Sequence, residues 1–196
     1  MVQSSMTYIV IIMIVVILAN IYIESDFFQL KCIVSGVDGN KYCVRERRRL
    51  NEAADLLADV NVKMKSIVSF MYKTYPEKKN VIRLHEGFNP QKINETLPTS
   101  EYTAYSENKG EKLAFCLHRR KNGTKLIDEN TLVFVALHEL SHIMSSTVGH
   151  NDEFWQNFKF LLTNAIKRGI YKPVDYKKNP QPYCGMDITD NPYYDM

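Results

Sequence analysis

From Tyr8 to Ile23 the chain is apolar at nearly every position and uncharged, with no polar stripe at helical spacing. A helix of that kind is hydrophobic all round and has to be covered by lipid or by other protein. It would extend about 24 Å, a little short of a ~30 Å hydrocarbon core, and Met6, Thr7 and nearby interfacial groups make up the difference. The pattern therefore predicts a single transmembrane anchor over residues 1–23, with Tyr8 and Tyr22 near the two headgroup layers. A cleaved signal peptide ending at Ile17-Leu18-Ala19 is the rival, but no Lys or Arg precedes the run to form a basic n-region.

Beyond the run the pattern changes character. Residues 24–44 mix acidic, apolar, Gly and Asn positions around the turn-like "GVDGN" and read as a tether or an early strand pair. At Arg45 a helical period begins. Leu50, Ala53, Ala54, Leu57 and Ala58 share one face of "RERRRLNEAADLLADV", and Met64, Ile67, Val68 and Met71 share one face of "VKMKSIVSFMYKTY", before Pro76 forbids continuation. These predict two packing helices. Three short β-prone runs follow, "VIRL" from Val81, "EYTAYS" from Glu101 and "EKLAFCL" from Glu111, the last two joined by "ENKG", so a small, largely antiparallel sheet is expected.

Two further helices close the chain. "LIDENTLVFVALHELSHIM" offers Asp128 as N-cap, Glu129 in the first turn and a broad apolar surface from Leu132 to Met144, so it belongs in the core. Phe154, Trp155, Phe158, Leu161, Leu162, Ala165 and Ile166 trace one face of the next, with Asn151 or Asp152 as cap and Gly169 as the stop. Phe154 and Trp155 are expected as packing residues that fix this second helix.

Composition adds bounds rather than detail. With 196 residues, 45% of them apolar, and a formal charge of +3, the chain fits one globular domain, taken as residues 45–196. No repeat or long charged tail is present, and "RERRR" reads as a solvated helix face. Cys32, Cys43, Cys116 and Cys184 lack C-x-x-C spacing; two disulfides or four reduced thiols fit equally until the compartment is known. Positive charge lies only downstream of the apolar run, so a single-pass protein with its body in the cytoplasm is expected. The sequons at Asn94 and Asn122 do not weigh against this, because about 1.6 such triplets arise by chance in this composition.

The chemistry gathers in one place. His138 and His142 lie four apart on the buried helix, one above the other, the spacing at which two imidazoles bind one tetrahedral zinc. Glu139 stands about 100° further round, beside the ligands and free to take a proton from water. Chance places H-E-x-x-H in a chain of this composition only about 0.008 times. His150 follows a chain reversal at Gly149 and completes three protein ligands, with a fourth position left for water; Asp152 or Glu153 is a lesser candidate for third ligand. The spacing differs from the metzincin pattern, since Ser145 occupies its Gly position and His150 falls eight residues after His142. A thermolysin-like Glu near Asn164 and Ala165 is absent too.

"HELSH", "GH" and "FW" resemble the WLM and SprT-like zinc metallopeptidases. More narrowly, "LIDENTLVFVALHELSHIM", "FWQNFKFLL" and "NPQPYCGMDI" look like the small metallopeptidases with an N-terminal hydrophobic segment that large DNA viruses of eukaryotes encode. The resemblance spans roughly residues 100–190 and implies an α+β zincin-like minimal metalloprotease domain behind the N-terminal helix. It implies His138, His142 and His150 as zinc ligands and Glu139 as the base that assists attack on a peptide bond of a protein or peptide substrate. The interval from His142 to His150 is longer than in the usual WLM pattern. The DNA-linked substrates of that family are not carried over, because the chain has no recognisable DNA-binding module and little excess positive charge. One of Tyr171, Tyr176 and Tyr183 is expected to assist the oxyanion, and Cys184 is considered as an inhibitory thiolate. The competing expectations are a membrane-anchored interaction protein whose zinc only staples the fold, and a nucleic-acid tether through Arg45 to Arg49.

Overall fold

The computed structural model describes residues 2–24 and 30–195, with the side chains of residues 6–22 in the first helix. Helix α1 (Val2–Glu24) precedes the strands β1 (Leu30–Val34) and β2 (Lys41–Arg45). Helices α2 (Leu50–Thr74) and α3 (Lys79–Gly87) lead to β3 (Ile93–Glu95), β4 (Ala104–Glu107) and β5 (Lys112–Phe115). Then come α4 (Glu129–Met144), α5 (Asp152–Lys167), the hairpin β6 (Gln181–Tyr183) and β7 (Met186–Ile188), and a 3-10 turn at Pro192–Tyr194.

The result is a mixed α+β fold. Its five-stranded sheet runs β1-β2-β3-β5-β4 and is less antiparallel than expected, since β2–β3 and β3–β5 pair parallel. The reason is topological: α2 and α3 lie between β2 and β3 and supply the crossover that a parallel pair requires. Within this sheet β1–β2 and β4–β5 pair antiparallel, and the β4–β5 turn holds Asn108, Lys109 and Gly110 at φ 46°, 57° and 105°.

Two expected elements come out differently. "VIRL" is helical, because Val81 and Leu84, three apart in α3, both reach the core from one face. The two packing helices are one 25-residue helix, α2, with no break at Asn61. The NH2 of that buried amide is paired outside the helix, donating to the Tyr42 hydroxyl at 2.8 Å and to the Pro90 carbonyl at 2.9 Å, while its Oδ1 has no hydrogen-bond partner.

The stretch 24–44 is a strand pair from Leu30 onward, so the folded body starts well before Arg45; residues 25–29 lie outside the described residues. Cys32 and Cys43 face each other across β1 and β2 and are bonded, and Cys116 is bonded to Cys184. The second bond fastens the β6–β7 hairpin to the segment after β5, where the amides of Cys184 and Gly185 donate to the carbonyls of His118 and Arg119 at 2.9 Å each.

"RERRR" is not a solvated helix face. Arg45 ends β2 and is 2% exposed, donating to the carbonyls of Thr96, Leu97 and Lys121 and to the Thr96 hydroxyl. Its guanidinium lies 3.4 Å from Glu95, whose other neighbour is His118 Nδ1 at 3.1 Å, so three ionisable side chains from three segments meet in the interior. Arg47 donates to the carbonyls of Gly123 and Lys121, and Arg49 pairs with Glu52.

Helix α1 stands apart from this packing, for every described side chain from Met6 to Tyr22 is exposed. Among the described residues no helix is long and apolar enough to cross a membrane. The transmembrane expectation for residues 1–23 is therefore not met by them.

Candidate metal centre

Helix α4 occupies the middle of the body, packed against α2, α3, α5 and β4. Its start is fixed by Asp128, whose carboxylate accepts from the Thr131 amide at 2.9 Å and the Thr131 hydroxyl at 2.8 Å. Leu132, Leu140 and Met144 are fully buried along it, so the helix cannot rotate without opening the core. That rigidity sets the direction of His138 and His142, which emerge half-buried on the face turned to an open cleft of ≈ 1550 Å³.

The chain leaves α4 at Ser145, crosses an exposed loop, reverses at Gly149 with φ 90°, and enters α5 under an Asn151 cap that accepts from the Phe154 amide. This path brings His150 back over the helix. His138 Nε2 lies 3.2 Å from His142 Nε2 and 3.0 Å from His150 Nε2, and the donor atoms of all three rings lie within 4.8 Å of one another. Tetrahedral zinc with Zn–N bonds of ~2.0–2.1 Å separates its nitrogen ligands by about 3.3–3.4 Å, so the donor set fits one ion of that size. Burial, with the neighbouring imidazoles adding to it, pushes His138 down to about 3; burial, with His150 and then the Lys109 ammonium adding to it, pushes His142 down to about 4. Both rings are thus neutral near pH 7, the form that binds a metal.

Phe154 forms the floor. It is fully buried, and its ring centre lies 4.8, 4.4 and 4.6 Å from those of His138, His142 and His150. Its expected role as a fixing residue for α5 understated this contact with all three imidazoles; its position four residues after His150 was the available signal. Trp155 is not core: it is 42% exposed, lies 5.8 Å from the His150 ring and lines the cleft.

Glu139 is 5% exposed and lines the same cleft, and burial pushes its carboxyl up to about 8. Of the three tyrosines, only Tyr183 reaches the cleft. Its hydroxyl donates to the Thr103 carbonyl at 3.0 Å, and burial, with the charge of Glu139 next in weight, holds the phenol well above its ordinary range. Tyr171 and Tyr176 instead pack on Phe134 in the core, their hydroxyls 3.4 Å apart. The thiolate idea for Cys184 falls, because that sulfur is bonded to Cys116 and has no lone thiolate to offer. Glu153 is not in the cluster either. Accepting from the Ser146 amide and hydroxyl pulls its carboxyl down to about 2, and it pairs with Arg83 at 2.9 Å. Asp152 likewise lies outside the histidine cluster.

A mixed α+β body thus presents a three-imidazole site able to hold a metal ion, on a buried helix, beside a carboxyl and an open cleft. No family profile matches the sequence. The chain is 29% identical over 168 residues to the uncharacterized protein R325 of Acanthamoeba polyphaga mimivirus, covering 81% of this chain and 82% of that protein. It is 37% identical over 100 residues to the uncharacterized protein 042R of Invertebrate iridescent virus 3, covering 50% and 57% respectively. Among solved structures, Wss1 from Saccharomyces cerevisiae is similar at 18% identity and a TM-score of 0.48, covering 64% of this chain and 89% of that one. A structural likeness of that size fixes neither fold nor activity.

Proposed function

We propose that the chain is a zinc-dependent metallopeptidase, with His138, His142 and His150 as the ligands and Glu139 as the catalytic base. The observation that carries this reading is the convergence of three Nε2 atoms beside a buried carboxyl in a cleft. A structural zinc is usually closed by four protein ligands; here three donors gather among the described residues, beside open space. Bound there, zinc would supply Lewis acidity, polarising a carbonyl and making water more acidic.

The chain's own groups do the rest. Strand β4 lies at an edge of the sheet and lines the cleft, so an extended polypeptide can lie alongside it. Burial alone favours the neutral carboxyl of Glu139; the positive charge of a bound zinc would favour the carboxylate. The carboxylate then accepts the proton of the attacking water and returns it to the departing amine, a transfer worth roughly 10²–10⁴ in rate. Tyr183, with its hydroxyl already donated to Thr103, forms part of the wall.

The test is Glu139→Gln, which keeps the size of the side chain and removes its basicity. Zinc stoichiometry should stay at that of the parent while peptide hydrolysis falls by at least ~10²-fold. A Gln variant that cleaves at the parental rate ends this assignment.

The N-terminal apolar helix serves as a membrane-associating element, and the body lies outside the cytosol. Both disulfides favour an oxidising surrounding, such as a lumen, a virion or a cell surface, over the reducing one suggested by charge alone. All four cysteines should resist alkylation in the protein taken from its natural source; ready labelling without a reductant would return the body to the cytosol.

A further inference from the structure

The His150 end of the site poses a mechanical problem. His138 and His142 ride on a packed helix, whereas His150 sits on an exposed loop, and exposed loops sample many conformations unless they are tied down. A ligand must be held to within about 0.5 Å to be useful.

Three charged side chains from three other elements converge on that loop. Lys109, in the β4–β5 turn, directs its ammonium at the carbonyls of His142, Ser145 and Thr147, at 3.4, 3.0 and 2.8 Å. The carbonyls at the end of a helix lack intrahelical partners and carry the negative end of its dipole, so a cation suits them. Arg83 on α3 donates to the Met144 carbonyl at 2.9 Å and pairs with Glu153, which in turn accepts from the amides and hydroxyls of Ser146 and Thr147. Cations thus take the loop's carbonyls, and an anion takes its amides.

The turn that delivers Lys109 is itself braced. A Cβ at Gly110 would strike the Gly87 carbonyl, and one at Gly87 would come within 2.6 Å of the Lys109 carbonyl, so the two backbones touch where α3 ends. Lys109 therefore reaches the loop from a fixed strut, with its own backbone at φ 57°.

We propose that Lys109 is a positioning residue: its ammonium fastens the loop to the end of α4 so that His150 is already at the metal centre before an ion arrives. This rests on the reading of the three histidines as ligands. Because Lys109 also borders the cleft, a direct role toward substrate is the competing assignment that the experiment has to separate.

The experiment measures zinc affinity of the full chain by competition with a chromophoric chelator, for the parent, Lys109→Met, Lys109→Arg, His150→Ala and the Lys109→Met/His150→Ala pair. Lys109→Met should bind zinc about 10–100-fold more weakly, the loss typical of removing a group that orients a ligand, and Lys109→Arg should recover part of it. The paired variant should bind no more weakly than His150→Ala alone, since a residue that acts through His150 has nothing left to position. In the metal-free chain, amide exchange at Thr147 to His150 should quicken in Lys109→Met. Unchanged zinc affinity in Lys109→Met, with or without lost activity, overturns the proposal, as does a paired variant markedly weaker than His150→Ala. If the parent itself takes up no zinc, the metallopeptidase reading falls first and this one with it.

Discussion

The two halves of the candidate metal centre are built by different physics. On one side, α4 holds His138 and His142 by burying Leu132, Leu140 and Met144 in the core, so those imidazoles cannot move without opening it. On the other, the loop bearing His150 is exposed and the hairpin bearing Tyr183 buries Tyr183 and Cys184 but leaves Gly185, Met186 and Asp187 exposed; the loop is tied by Lys109, Arg83 and Glu153, and the hairpin by the Cys116–Cys184 bond. Packing is non-directional and cooperative, whereas ties are few, local and removable one at a time. Damage to the first half should therefore be global, and damage to the second graded.

The largest contrast should come from removing one imidazole from each half. In His142→Ala the remaining pair includes the loop-borne His150, so ordering the loop is charged against binding, and zinc uptake at micromolar concentration should be lost. In His150→Ala the remaining pair is already aligned on α4. Zinc should still bind, weakened by more than the ~10–100-fold that a supporting group costs. Titration against a chelator reads both; equal losses would erase the distinction between halves.

A smaller effect separates the two disulfides. Cys116–Cys184 closes a separation of 68 residues and Cys32–Cys43 one of 11, for which loop-closure entropy gives about 4 and about 3 kcal/mol. Paired Cys→Ser variants compared in urea should differ by roughly 1.6 kcal/mol. Only the first should also lower peptide hydrolysis, because only it fastens a wall of the cleft. A Cys32→Ser/Cys43→Ser variant that loses activity while keeping its stability would contradict this.

What the sequence made legible follows the same division. The histidine pair on α4 could be read because four residues along a helix is a short-range spacing, and the Asp128 cap because it lies three residues from its partner Thr131. The loop histidine was legible as a candidate, but nothing local announced that Lys109, 41 positions earlier, would hold it. "VIRL" reads as a strand because β-branched residues favour strands in isolation, and burial of Val81 and Leu84 on one helical face overrides that preference. Arg45 reads locally as a surface charge because its partners Glu95 and Thr96 lie some 50 positions away. Cysteine pairing had no spacing signal at all.

The buried group of Arg45, Glu95 and His118 also bears on how the strands find one another. β2 and β3 are joined at a single registered pair, Cys43 with Asn94, too short a ladder to choose its own alignment. Sliding either strand by one residue would strand a guanidinium or a carboxylate in the interior without its opposite, a penalty of several kcal/mol. Charge complementarity thereby serves as a proofreading key: the chain can close its sheet in one frame, and that frame carries β4 and β5 to the flank of α4.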